Sequence, residues 1–224
     1  MEIQIKLLTP SRFIRPQSKI TPTAIAWHYV GNPNTSALAN RNYFESLKAG
    51  KKNSKGKYIY ASSNFIIGLD GEIIECIPVG EMTFCTNQAN GYTISVECCH
   101  PDSTGKFTEA TYNSMIWLGK YLMQKYGIKD NIRHYDVTGK ICPKWFVDNP
   151  SEWEKFKLEL EGDEDMTRYK TIAEIPWHYQ DDIQQLIDDE ILKGKGGELG
   201  LDLTEDMIRI LILTKRMIEF YKNN

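Results

Sequence analysis

The sequence lacks several features that would assign it to a large functional class. Its 27 Lys and Arg residues against 30 Asp and Glu residues give a formal net charge of −3, whereas nucleic-acid-binding proteins usually carry a strong basic excess. No apolar run approaches the ~20 residues that a membrane-spanning helix needs. We therefore expect neither a nucleic-acid partner nor insertion into a membrane.

Two further absences concern the compartment in which the chain folds. The N-terminus has neither the apolar core nor the small-residue cleavage site of a secretory signal peptide. The five cysteines are odd in number, which argues against a framework of disulfides. We expect a protein that is made and folded in the cytoplasm, with reduced cysteines.

What is present is the composition of an ordinary globular protein, with 41% hydrophobic and 25% charged residues. Residues 23–30 alternate as a strand does, and Asp70-Gly71 between two apolar runs is typical of a hairpin. Residues 93–99 and 131–135 also read as strands. Helical spacing of apolar residues marks 109–126, and a further helix should end near Leu160. This mixed order predicts an α/β fold with a mixed central sheet flanked by helices.

The C-terminal part differs in pattern. Residues 162–167 are short, polar and acidic, and are expected to link a first domain, 1–161, to a second, 168–224. Apolar residues from Ile183 to Leu192 predict one amphipathic helix, and Thr204 can cap another. We predict a small all-α domain.

The residues that can bind a metal are few, since the chain has only four histidines. His28 lies on the first predicted strand, His134 near the end of a later strand, and Cys142 follows after one loop. A catalytic zinc takes three protein ligands and keeps one position open. Taken singly, each of these residues is more commonly a packed or hydrogen-bonded side chain, and spacing alone does not bring the three together.

Several ordered motifs carry a resemblance to a known family. They are Ala26-Trp27-His28-Tyr29-Val30-Gly31-Asn32-Pro33, Asn40-Arg41-Asn42-Tyr43-Phe44, Ser63 to Gly71, Thr93-Ile94-Ser95-Val96-Glu97, Arg133-His134-Tyr135-Asp136 and Lys140-Ile141-Cys142-Pro143. Together these motifs resemble the zinc-dependent N-acetylmuramoyl-L-alanine amidases, a family that includes phage endolysins and peptidoglycan recognition proteins. The resemblance extends from about Ile20 to Leu160.

The resemblance implies the family's fold and a role for individual residues. Zn²⁺ would be held by His28, His134 and Cys142. Glu97 would be the general base, and Lys140 would stabilise the oxyanion or hold the substrate carbonyl. The implied reaction is hydrolysis of the amide between N-acetylmuramic acid and L-alanine in bacterial peptidoglycan. In the loop before the Glu97 strand, three polar residues are candidate substrate contacts: Thr86, Asn87 and Asn90.

Other interpretations stay open. The same fold occurs in recognition modules without activity, although these typically lack the cysteine ligand. A bacterial autolysin or a recycling amidase is a further alternative to an endolysin, which would stay in the cytoplasm of the bacterial host until released to the cell wall. The C-terminal helical domain is expected to bind the cell wall or to mediate self-association. An internal translation start at Met166 would supply free copies of it.

Overall fold

The computed structural model describes residues 1–162, 169–193, 200, 201 and 203–222. The chain forms two compact units, Met1–Gly162 and Asp163–Asn224. Apart from Gly162, the predicted linker at 162–167 lies outside the described residues, and so does Met166 with its proposed internal start.

The first unit is built on one six-stranded sheet. Its strands are β1 (Ile3–Ile5), β2 (Ala24–Tyr29), β3 (Phe65–Ile67), β4 (Ile73–Glu75), β5 (Thr93–Cys98) and β6 (Asp130–Arg133), in the spatial order β1-β4-β3-β5-β2-β6. Among these described strands, the β3–β4 pair alone is antiparallel. The helices of this unit are α1 (Ala37–Ser46), α2 (Glu109–Tyr126), α3 (His134–Thr138), α4 (Lys144–Asp148) and α5 (Pro150–Glu161). The predicted fold class, a mixed sheet flanked by helices, is confirmed.

The antiparallel pair is the hairpin that Asp70-Gly71 predicts. The Gly68 N–H donates to the carbonyl of Glu72 at 2.8 Å, which closes the turn. Gly71 has a φ of +83°, a backbone conformation that costs glycine little and other residues more. The turn therefore sets the register in which β3 and β4 pair.

Alternation along β2 divides its side chains between the two faces of the sheet. Ile25 and Trp27 are fully buried in a core shared with α2 and α5, and the Trp27 ring meets Phe156 edge-on with centroids 5.0 Å apart. Ala26 and His28 therefore point to the opposite face. Both residues are buried there as well, so the polar His28 side chain lies in a covered part of that face.

The predicted strand at 131–135 is too long by two residues. Strand β6 ends at Arg133, and His134 is the first residue of α3. The reason is a capping box, in which the Asp136 carboxylate accepts the backbone N–H of Arg133 at 2.8 Å. Residues 136–145, which the sequence predicts as a loop, contain the rest of α3 and the start of α4.

The second unit contains two long helices, α6 (Trp177–Asp188) and α7 (Glu205–Lys222). The expectation that the first continues to Leu192 is wrong, because Glu190 takes a left-handed conformation with φ of 58° and ends it. Thr204 caps α7 as predicted, accepting the Met207 N–H at 3.2 Å. Among the described residues, no helix has the length and apolar character required to cross a membrane.

Candidate metal centre

The carboxyl ends of three parallel strands bring the candidate residues together. Strand β2 lies between β5 and β6. His28 is the direct register partner of Glu97 on β5, and Trp27 pairs with Arg133, the residue before His134. His28 is thus flanked by a carboxylate on one neighbouring strand and by a histidine that follows the other. Such strand ends are where α/β sheets commonly bind ligands.

Three buried donor groups meet at this edge: the rings of His28 and His134 and the thiol of Cys142. One ligand atom from each lies within 4.8 Å of the others. The Cys142 Sγ is 3.6 Å from Nδ1 of His28, and the two imidazole rings meet edge to face with centroids 4.9 Å apart. The structure thus brings together the three residues that the sequence motifs predict as metal ligands.

The His134 ring is unusual because it is buried without hydrogen bonds. Neither Nδ1 nor Nε2 has a partner among the described residues, although a buried polar group without a partner is costly. Burial, with the positive charge of Lys140 nearby, lowers the pKa of His134 to about 4. Burial also holds the pKa of His28 well below its usual value, with His134 and Lys140 adding to the effect. Both rings are therefore neutral at pH 7, the form that binds a metal.

Cys142 reaches the site because its loop folds back on α3. The carbonyl of Cys142 accepts the Tyr135 N–H at 3.0 Å, which anchors the loop beside the first turn of that helix. Burial, followed by the proximity of Glu97, raises the pKa of the Cys142 thiol to about 12. The thiol is thus protonated when no cation is near, and binding of a metal would release that proton.

Glu97 extends toward the same group of side chains. Its Oε1 accepts a hydrogen bond from the Cys85 thiol at 3.4 Å, while its buried Oε2 has no partner in the part of the chain that the structure describes. Burial raises the pKa of Glu97 to about 7, against the opposing effects of Cys85 and Lys140. A carboxyl group with such a pKa exchanges protons readily near neutral pH.

Lys140 is the nearby cation. Its side chain is exposed, yet its charge lowers the pKa of His28, His134 and Glu97. A positive charge at this point can stabilise negative charge that develops on a substrate.

The three candidate substrate contacts in the loop before β5 differ in their burial and in their hydrogen-bond partners. Thr86 is fully buried and its Oγ1 is 3.0 Å from Nε2 of His28. The Asn90 side-chain oxygen accepts the backbone N–H groups of Cys85 and Thr86. Asn87 is exposed. The role of these three residues as substrate contacts stays a prediction. Asn87 is the one of the three that is exposed.

Cys85 also lies at this site, although nothing in the sequence predicts it. Its Sγ forms a second compact group with His28 and Glu97, in which one ligand atom of each lies within 4.8 Å of the others. A single cysteine in a polar loop carries no local signal for this role. Its proximity to Glu97 depends on a contact between the loop and β5, which spacing along the chain does not reveal.

Three buried donors beside a carboxylate are the arrangement expected of a metal-assisted hydrolase. Comparison with known proteins gives the family. The model of the N-acetylmuramoyl-L-alanine amidase family matches residues 18–145, more than half of the chain. The chain therefore belongs to the N-acetylmuramoyl-L-alanine amidase family.

Two relatives come from bacilli. The chain is 29% identical over 167 residues to the N-acetylmuramoyl-L-alanine amidase CwlL of Bacillus licheniformis, a match covering 68% of this chain and 44% of that protein. It is 27% identical over 176 residues to the amidase BlyA of Bacillus subtilis (strain 168), covering 68% and 45% respectively. The chain thus spans less than half the length of these relatives.

Solved structures support the fold assignment. The structure of PlyL matches with a TM-score of 0.60 and 24% identity, covering 71% of this chain and 97% of that one. The PlyG catalytic domain matches with the same TM-score and identity, covering 76% and 100%. At this identity the likeness concerns the fold.

Proposed function

We propose that this protein is a zinc-dependent peptidoglycan hydrolase of the endolysin type, which cleaves the amide bond between N-acetylmuramic acid and L-alanine. The observation that carries the proposal is the buried group of His28, His134 and Cys142, set beside Glu97 in a chain of the amidase family. A recognition module without activity has no need of a proton acceptor at this point.

The donor set fits zinc. Two neutral imidazoles and one thiol supply the three ligands of a catalytic site and leave the fourth position open. Tetrahedral bonds of roughly 2.3 Å to sulfur and roughly 2.0 Å to nitrogen hold those two atoms about 3.5 Å apart, and the Cys142 Sγ and His28 Nδ1 are separated by 3.6 Å. A bound metal would also give the His134 ring the partner that it lacks. Zinc in such a site lowers the pKa of bound water and polarises a carbonyl.

The protein's own residues would handle the proton and the charge. The Glu97 Oε2 has no partner among the described residues, so it is available to accept a proton from the attacking water and later to return it to the leaving amine. Cys85 occupies the other oxygen and thereby fixes the direction in which Oε2 points. Lys140 lies where its charge can stabilise the oxyanion of the tetrahedral intermediate.

The direct test is digestion of bacterial cell walls followed by mass spectrometry. We expect new L-alanine amino termini and no new reducing sugar ends. New reducing ends would identify a glycosidase instead, and an unchanged wall would favour a recognition module.

Metal content and activity should depend on the same cysteine. Cys142→Ser should lose most of its zinc and most of its activity, since a hydroxyl is a much weaker ligand than a thiolate. Cys76→Ser is the matched control, because Cys76 is equally buried but packs in an apolar cluster that contains none of the three candidate ligands. Full zinc occupancy in Cys142→Ser, measured by elemental analysis, would rule out the ligand set.

For the second unit we propose self-association through the outer face of α7. Ile208 and Ile212 are buried against the rest of the unit, whereas Ile210, Leu213 and Met217 are about 60% exposed (63%, 61% and 59%). A helix that is apolar on both faces is usually covered on both. Peptidoglycan is polar. The apolar surface formed by Ile210, Leu213 and Met217 is therefore better covered by the same surface of a second copy than by the wall polymer.

Sedimentation of the full chain tests this proposal. Leu213→Lys should lower the average molecular mass in solution relative to the unmodified protein. Leu158→Lys, at a 68% exposed leucine of α5, makes the same chemical change in the first unit and should leave the mass unaltered. A monomer at high concentration before any substitution would contradict self-association.

A further inference from the structure

The imidazole of His28 has two nitrogens in different surroundings. Nδ1 faces the Cys142 thiol at 3.6 Å, while Nε2 lies 3.0 Å from the hydroxyl of Thr86. Both His28 and Thr86 are buried, so water cannot easily replace the hydroxyl as the partner of Nε2. Nε2 therefore has a buried hydroxyl within hydrogen-bond distance.

A neutral imidazole carries one N–H donor and one acceptor lone pair, and the partner of each nitrogen decides which tautomer is present. A nitrogen that binds a metal must be free of its proton. If Nδ1 is the ligand, Nε2 must keep the hydrogen and needs an acceptor. The Thr86 oxygen can be that acceptor, because a hydroxyl both accepts and donates.

Thr86 is itself held in place by its loop. The Asn90 side-chain oxygen accepts the Thr86 N–H at 2.7 Å and the Cys85 N–H at 3.1 Å. At the end of the loop, the Thr93 hydroxyl donates to the carbonyl of Ala89 at 2.8 Å. These bonds hold the loop backbone that carries Thr86 beside the His28 ring, which limits the conformational freedom lost when a metal binds.

We propose that Thr86 is a positioning residue for the metal centre: its hydroxyl accepts the Nε2–H of His28 and presents Nδ1 to the zinc ion. This inference rests on the proposed zinc site. It assigns the buried threonine a role behind a ligand, where metal-binding histidines commonly donate their second N–H to an acceptor that orients the ring.

Zinc affinity of the full chain, measured by competition with a chromophoric chelator, is the first test. Thr86→Val keeps the shape of the side chain and removes the hydroxyl, so it should weaken zinc binding about 10- to 100-fold. Thr86→Ser restores the acceptor and should stay close to the unmodified protein. Thr111→Val is the matched control, since the buried Thr111 hydroxyl of α2 donates to the backbone carbonyl of Gly68 instead.

A second measurement needs no substitution. Long-range ¹H–¹⁵N correlations of the zinc-loaded protein report which nitrogen of His28 carries the hydrogen, and we expect Nε2. A hydrogen on Nδ1, or unchanged affinity in Thr86→Val, overturns the positioning role while leaving zinc binding intact. A protein that binds no zinc at all overturns the proposed function together with this inference.

Discussion

Replacing Glu97 by glutamine should affect activity and stability in opposite directions. The glutamine side chain has nearly the same shape, and its amide oxygen can still accept the hydrogen bond that Cys85 donates to Oε1 in the unmodified protein. The variant loses the ability to take up a proton at the position of Oε2. Loss of a general base costs about 10²- to 10⁴-fold in rate, so turnover should fall by that factor while zinc remains bound.

The stability change follows from burial of the carboxylate. Burial raises the pKa of Glu97 from 4.5 to about 7, so the folded state holds this proton more tightly than the unfolded chain does. Burial of Glu97 therefore costs no stability below pH 4.5. The free energy of unfolding falls as the pH rises, and the full cost is present above about pH 7. The shift corresponds to about 3 kcal/mol as an upper value, which Glu97→Gln should recover in the metal-free protein at pH 8.

Urea unfolding of the metal-free protein, followed by tryptophan fluorescence, measures this difference. Four of the five tryptophans belong to the first unit, so the signal reports mainly on the unit that holds Glu97. The free energy of unfolding of Glu97→Gln should exceed that of the unmodified protein at pH 8, and the two should be equal near pH 4.5. An equal gain at both pH values, or none at pH 8, would refute the reasoning from burial.

Two further predictions concern charges around the first unit. Lys140→Met removes a cation that lowers the pKa of Glu97, so the acid limb of the pH–rate profile should move to higher pH; an unmoved limb would place the lysine outside the field of the site. Glu81→Gln removes the carboxylate that accepts two hydrogen bonds from the buried Arg15, and should cost about 3 kcal/mol in the free energy of unfolding at pH 7. Because Arg15 lowers the pKa of Glu81 below 4.5, this contribution is present above pH 4.5 and disappears as the pH falls through the folded-state pKa, so unmodified protein and variant should converge in acid denaturation curves.

Much of the fold can be predicted from local patterns. The alternation of residues 24–29, the Asp-Gly turn and the helical spacing of 109–126 each depend on neighbours along the chain, and the structure contains all three elements. The helix-ending Gly127 has a φ of 67° and donates its N–H to the carbonyl of Met123, as a C-terminal cap should. Local signals of this kind need no knowledge of tertiary contacts.

Other elements require contacts that the sequence does not display. Strand β1 has three residues, too few to show alternation, and it exists because Ile3 to Ile5 pair with β4. The helix that begins at His134 escapes prediction because the Asp136 cap competes with the strand pattern before it.

The candidate site divides in the same way. His28, His134 and Cys142 can be selected through motifs that resemble a family, and the structure brings them together. The contact of Thr86 with His28 and that of Cys85 with Glu97 join a loop to two strands. Neither contact has a spacing rule, because each depends on how the loop folds over the sheet.

The direct pairing of His28 with Glu97 has a consequence for how the protein loses function on heating. Both residues lie on adjacent central strands joined by a continuous ladder, and core strands open only in the rarest, most global fluctuations. The distance between His28 and Glu97 should therefore change only when the whole first unit unfolds cooperatively. Amide hydrogens of β2 and β5 should exchange at the rate of global unfolding, and thermal inactivation should coincide with the melting of the sheet.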